Sequence, residues 1–461
     1  MVRDLLERSI AWLNCGEIPP YRNYLTEKPL KRIRITMFAS VTILFLLQLI
    51  ILLWFNGSQI DDAKIYLGLA TNCNNNGLFY PNNSHLNSNF IFAPGYVNLV
   101  ILIMKFTTNI KCILFIINIP SCLIIIFSIY KICEKLFKST IIPYIVVISM
   151  CLLPTLWVEV CSLRTELLYT MLAFSSIALI MHNSKKSLLF AGILLTFSNW
   201  VRPLAIVFLI VILFIFIVTK VNMKSVAIFT ASMICTALLI GSATYISFGH
   251  FVFQSTTSGY NLIMGANDDA DGSYNATVFT EGKIGYLTPE ENASMTFFEK
   301  DKFYKSNAIE WIKANPARYS YLFMQKTFYL YANETYSMQA LFNGEKNPSG
   351  VSYFINLYND VKNDGISKMS VADVVTISSQ IYYMLIILLF LLGNFYAVRL
   401  KIFPKILPLL LILFLGTAIT IITVGAGRYH FPYLPIIFII AAITIDVIYQ
   451  RKSLKLKEKE L

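Results

Sequence analysis

KRIRITMFASVTILFLLQLIILLWF (Lys31–Phe55), followed after Asn56 by Gly57-Ser58-Gln59-Ile60-Asp61-Asp62-Ala63-Lys64-Ile65-Tyr66, decides the fold. Its apolar part, Ile35–Phe55, has about the 20 residues that a helix needs to cross the hydrocarbon core. Lys28, Lys31, Arg32 and Arg34 precede it and hold the N-terminus in the cytoplasm under the positive-inside rule, so Gly57 onward emerges on the opposite face. The run is too long and too late for a cleaved signal peptide, and no small-residue cleavage site follows. Asp61 and Asp62 therefore stand at the outer end of the first membrane helix, where a membrane enzyme would keep an acid or a base.

The rest of the chain agrees with a membrane protein. Of 461 residues, 56% are hydrophobic and 14% charged, with a mean hydropathy of +0.62, too apolar for a soluble protein of this size. The net charge of +12 does not indicate nucleic acid, because the cations sit in short segments between apolar runs and form no single basic face. They read as topology signals and contacts to anionic lipid. Cys112, Cys122, Cys151 and Cys235 lie inside apolar runs, and no Cys/His metal spacing occurs.

Further apolar runs fall near 90–106, 112–130, 141–157, 167–181, 188–199, 204–219, 226–247, 375–396, 406–424 and 433–449. The expectation is an all-α polytopic protein with about 10–11 transmembrane helices. Lys131/Lys135/Lys138, Lys185/Lys186, Lys220/Lys224, Arg399/Lys401/Lys405 and the tail Arg451–Lys459 mark the cytoplasmic side. Asp61 outside and Lys131 inside require an odd number of crossings between them, whereas two runs are available. The stretch 90–106, which carries Pro94-Gly95, is therefore expected to be short, re-entrant or interfacial, leaving about ten crossings with both termini cytoplasmic; an unusual basic outer loop is the alternative.

The implied organisation is a cytoplasmic segment 1–34, an N-terminal membrane module 35–247 with its first outer loop at 57–90, an extracytoplasmic cap 248–374, C-terminal membrane helices 375–449 and a basic tail 450–461. Within the cap, 297–331 places apolar residues at helical spacing and is broken at Asn315-Pro316. That pattern predicts two amphipathic helices lying on the membrane surface.

Tyr66 lies four residues after Asp62 and Ala70 eight, so on a helix the three share one face. Asp269-Ala270-Asp271 has the look of a metal-binding DxD, but no alternating strand and helix pattern surrounds it, and it reads as a solvated turn. Neither a Walker A nor a dinucleotide glycine pattern occurs.

Several motifs then recur in order: Asp62/Tyr66/Ala70, Pro94-Gly95-Tyr96, Arg164-Thr165-Glu166-Leu167-Leu168-Tyr169, Gly192 to Arg202-Pro203, Gly259-Tyr260-Asn261-Leu262 with Gly265-Ala266-Asn267, Asn315-Pro316 with Lys326, and Gly427-Arg428-Tyr429. Through them the chain resembles the C-type membrane glycosyltransferases (GT-C), including protein O-mannosyltransferases and the transferases that add aminoarabinose to lipid A. The set spans most of the sequence. One departure is that the second acid of the family's pair falls on Ala63, so Asp61 precedes the key residue.

The resemblance implies sugar transfer from a polyprenyl-phosphate donor to an acceptor hydroxyl on a lipid, a glycan or a protein. Asp62 would be the general base with Asp61 beside it. Arg202, Arg428, Lys326 and Arg164 would hold the lipid phosphate, and Tyr66, Glu166 and His430 would shape the acceptor side. Glu166 has a second reading as an ion-pair partner of Arg164 at a helix start. No metal ligand set is assigned, and the need for a divalent metal stays open. The Ile, Asn and Lys bias points to a bacterial plasma membrane and undecaprenyl phosphate, with an endoplasmic reticulum enzyme using dolichyl phosphate as the alternative. Two competing readings are a polysaccharide polymerase or ligase, which would carry an arginine-rich outer loop, and a transporter or flippase, which would show repeats or deep charges.

Overall fold

The structure, a computed structural model, describes residues 27–137, 141–343, 351–365 and 369–460. The segment 1–26 and Lys138, both assigned above to the cytoplasm, lie outside them. Every regular element among the described residues is helical, as long apolar runs in hydrocarbon require, because a helix satisfies each backbone N–H and C=O within the segment.

The first run forms α1 (Glu27–Trp54), and the acid pair opens a more polar helix, α2 (Asp61–Asn75). The next run yields only α3 (Pro94–Met104), 11 residues or about 16 Å of rise at 1.5 Å per residue, roughly half a hydrocarbon core. Then α4 (Ile110–Leu136) is, among the described residues, the one helix starting between Asp61 and Lys131 that is long and apolar enough to cross a membrane. α5 (Ile142–Cys151) and α6 (Pro154–Val158), with the turn Glu159–Cys161, make one pass bent by 62°. Pro154 begins the second piece, where its missing N–H costs no helical bond.

Four helices follow, α7 (Thr165–His182), α8 (Lys185–Val201), α9 (Ala205–Val218) and α10 (Met223–Phe248). The cap then contributes α11 (Ser258–Met264), α12 (Pro289–Ser294), α13 (Phe297–Ala314), α14 (Pro316–Tyr331), α15 (Tyr336–Asn343) and α16 (Val351–Asp364). The chain returns through α17 (Val371–Arg399), α18 (Phe403–Thr423), a tight 3-10 turn over Gly427–Tyr433 and α19 (Leu434–Glu460).

Among the described residues, seven helices are long and apolar enough to cross a membrane, and the bent pair makes an eighth. α8 and α9 are shorter, at 17 and 14 residues. Both nevertheless join the same two ends of the bundle: Asn183, Thr219 and Lys220 line a cavity at one end, while Val201 to Leu204 line a cleft at the other. A helix flanked by protein need not match the lipid thickness, which is how short runs serve here.

The bundle closes around α19. Ile436 to Ile443 are almost wholly inaccessible, and α17 and α5 pack along this helix. Gly393 of α17 lets the two backbones meet, since a Cβ there would lie 2.1 Å from the Ile440 carbonyl oxygen. Gly192 does the same for α8 and α10, where a Cβ would lie 2.5 Å from the Phe229 carbonyl oxygen.

In the cap, α13 starts on a capping box between Thr296 and Glu299, and Asn315-Pro316 separates it from α14, as the sequence pattern predicts. One face of these helices is covered by protein. Tyr304, Ala308, Trp311, Tyr319 and Leu322 close into a separate core with Ile263, Met264 and Val424. Aromatic residues on both faces of α14 permit this, and Tyr321, Met324 and Phe328 remain exposed on its other side.

Candidate active site between the helix ends and the cap

Gln59 pins the start of α2, its Nε2 donating to the Cys161 carbonyl at 3.1 Å and its Oε1 accepting from Leu163 N at 2.7 Å. Asp61 then takes a left-handed backbone, φ +49°, a conformation that aspartate tolerates better than most residues. The two adjacent carboxylates reach different partners: the Tyr336 hydroxyl donates to Asp61, whereas Asp62 pairs with Arg428 Nη2 at 2.7 Å. Both acids occupy the first turn of α2, where free backbone N–H groups favour negative charge.

Tyr66 and Ala70 follow Asp62 on the buried face of α2. Tyr66 packs its ring against Phe92 at 4.7 Å and Tyr96 at 5.4 Å. Burial first, then the carboxylates of Asp62 and Glu166, raise its hydroxyl well above the ordinary tyrosine value. It can donate a hydrogen bond, but it cannot serve as a base near neutral pH.

Three arginines come from three different helix ends. Arg164 precedes α7, Arg202 follows α8, and Arg428 lies in the turn before α19. Each has its own acid: Arg202 Nη1 meets Glu166 Oε1 at 2.9 Å, Arg164 Nη2 meets Glu159 Oε2 at 3.2 Å, and Arg428 meets Asp62. Two tyrosine rings interleave with the guanidinium groups. Tyr429 lies 5.0 Å from Arg202 and 5.1 Å from Arg428, and Tyr336 lies 5.4 Å from Arg428 and 4.9 Å from Arg164. The result is a ladder running Arg202, Tyr429, Arg428, Tyr336, Arg164, held by cation–π contact. Arg428 Nη1 is buried without a hydrogen-bond partner among the described residues.

The ladder borders a cleft of about 510 Å³. Of the residues singled out in the sequence, Asp62, Tyr66, Glu166, Arg202 and Arg428 line it, together with Lys305 and an aromatic wall of Phe90, Phe92, Tyr260 and Tyr274. Asp61 and Arg164 stand just behind, joined to the lining through Tyr336. Lys326 and His430 are elsewhere. His430 is enclosed between Tyr331 and Tyr383, with Nδ1 2.5 Å from the Leu330 carbonyl oxygen and Nε2 2.5 Å from Glu334 Oε2. It ties the end of α14 to the turn before α19.

Lys326 is fully buried under Tyr319, with Nζ 3.4 Å from the Ile422 carbonyl oxygen at the end of α18. Burial pushes its ammonium down to about 7. Between about pH 7 and pH 10.5 the unfolded chain therefore binds a proton that the folded chain lacks, so stability rises with pH across that window. Thermal unfolding of the purified wild type and of Lys326→Met at pH 7 and pH 9.5 is expected to show the wild-type midpoint gaining on that of the variant as the pH rises. A constant difference between the two would assign the pH dependence to other groups.

Sequence reasoning did not single out Tyr336, Glu334, Ser337 or Lys305 as site residues. The signal available was Asn333-Glu334-Thr335-Tyr336-Ser337, a polar run in which Asn333, Glu334, Thr335 and Ser337 are all buried. Asp269 forms an exposed pair with Lys283 at 2.8 Å, in the turn expected there. Among the described residues no group of three or more His, Cys, Asp or Glu side chains is placed to hold a metal ion.

No family model matches the chain, and no curated protein matches it. Among solved structures it is similar to the crystal structure of the Archaeoglobus fulgidus oligosaccharyltransferase in the apo form, with TM-score 0.49 and 10% identity over 92% of this chain and 52% of that one. It is also similar to the archaeal oligosaccharyltransferase AglB from Archaeoglobus fulgidus in complex with an inhibitory peptide and a dolichol-phosphate, with TM-score 0.46 and 12% identity over 92% of this chain and 51% of that one. The chain spans about half the length of the solved structures it matches.

Proposed function

We propose that the chain is a membrane glycosyltransferase of the C-type group that moves a sugar from a polyprenyl-phosphate donor to an acceptor hydroxyl at the cleft. The observation that carries this reading is the Asp62–Arg428 pair at 2.7 Å on the cleft wall, with one arm of the arginine fork lacking a partner among the described residues. A hydroxyl is a weak nucleophile until its proton leaves, and a phosphate is a good leaving group only if its charge is held. Asp62 takes the acceptor proton as the acceptor oxygen bonds to the sugar carbon. The bond from that carbon to the phosphate oxygen breaks, and its electron pair stays on the lipid phosphate facing Arg428 and Arg202.

The pairing also orders the steps. An anionic donor competes with Asp62 for Arg428, so the carboxylate is released from its partner when the phosphate arrives. Against the polymerase reading, Arg318 is the only arginine between residues 248 and 374, and it is spent on structure, stacked at 6.0 Å on Trp311 and bonded to the Asp268 carbonyl.

The test is transfer of label from a panel of radiolabelled polyprenyl-phosphate sugars in membranes containing the protein. Label should move to an acceptor from at least one lipid-linked sugar and from no nucleotide sugar. Failure with every lipid donor at normal protein levels would overturn the proposal. Arg428→Lys keeps the charge and loses the planar fork; transfer should fall about 10²-fold, the usual loss when one charge-stabilising donor is removed, while the protein remains folded.

A further inference from the structure

At the end of the bundle opposite the cleft, α7, α9 and α18 diverge around a cavity of about 270 Å³. Its walls are aliphatic, with Ile177, Ile180, Val211, Ile212, Ile215 and Leu409 facing inward. Its mouth is polar. Lys220 and Lys405 stand there beside Asn183, at the points where α7 and α9 end and α18 begins. Lys220 is exposed and has a left-handed backbone, φ +51°. No carboxylate among the described residues pairs with it.

An apolar crevice at the end of membrane helices, with cations at its mouth, matches the two-part polarity of a phospholipid. The walls exclude a free phosphate as the main ligand, since it would leave the aliphatic surface uncovered. Lys220 distinguishes among lipids, because a cation at the interface attracts an anionic headgroup and gains little from a zwitterionic one. We infer that this cavity holds one acyl chain of an anionic phospholipid whose phosphate rests on Lys220. It is a lipid site separate from the cleft, and it does not depend on the reaction proposed there.

The test uses the full chain purified in detergent, with bound lipid counted by native mass spectrometry and unfolding followed by thermal shift. Phosphatidylglycerol and phosphatidylcholine with the same acyl chains are compared, with glycerol phosphate as a soluble headgroup. One phosphatidylglycerol should stay bound and raise the unfolding midpoint above that with phosphatidylcholine. Lys220→Gln should weaken phosphatidylglycerol binding about fivefold, the effect of one interfacial cation, and leave phosphatidylcholine unchanged. Ile215→Trp fills the crevice and should displace the retained lipid. Equal retention of the two lipids, indifference to both substitutions, or stabilisation by glycerol phosphate equal to that by the lipid would overturn the assignment.

Discussion

Asp62→Asn should lower sugar transfer by about 10²- to 10⁴-fold, the range typical for loss of a positioned general base, at unchanged protein level. Asparagine has the same size and still accepts a hydrogen bond from Arg428, so the turn before α19 keeps its anchor while the proton acceptor is lost. Asp61→Asn is the matched control. Asp61 meets the Tyr336 hydroxyl and does not line the cleft, so its substitution should cost far less. The two are separated by initial rates from the same membranes with the best donor of the panel. A dead Asp61→Asn beside an active Asp62→Asn would move the base by one residue and break its register with Tyr66 and Ala70.

Arg164→Met should be the most damaging substitution for stability. Arg164 and Glu159 are 4% and 3% exposed, so removing the arginine strands a carboxylate in a buried site, a loss of about 3–5 kcal/mol in comparable pairs. The Ser162 hydroxyl, now 2.8 Å from the guanidinium, would lose that donor as well, while Ser337 would keep its bond to Glu159. Adding Glu159→Gln should recover most of the loss, because two neutral side chains carry no stranded charge. The readout is the unfolding midpoint in detergent and the monodisperse fraction after extraction. If Arg164→Met unfolds no earlier than an exposed lysine substitution, the pair is not holding the turn before α7.

How much of this was legible in the sequence depended on the range of the interactions. The break at Asn315-Pro316 and the shortness of 90–106 were readable, because helix starts and proline effects are local and charge parity sums over whole segments. The two helices of 297–331 were readable as amphipathic, but the core that covers one face of them was not, because amphipathicity shows that a face is buried, not what buries it. In the candidate site, Asp62, Glu166, Arg202 and Arg428 each stand at a helix end, and the alternation of passes brings those ends together. Tyr336 was invisible because its partner Asp61 is 275 residues away and nothing near either residue encodes the contact. Lys326 and His430 show the complementary limit. The resemblance suggested a place in the cleft, but packing turned both side chains into the interior, one beneath Tyr319 and the other between Tyr331 and Tyr383.

The near-total burial of Ile436 to Ile443 bears on how the chain is built. α5, α17 and α18 leave the ribosome before the segment they pack against exists, and until it arrives the faces that will meet it have only lipid or one another to cover them. The early bundle must therefore wait with an open seam, one wide enough to admit Ile436 to Ile443. A premature stop ahead of this segment would remove the axis on which the earlier helices close, and membrane quality control would meet a bundle complete in its parts yet open along its centre.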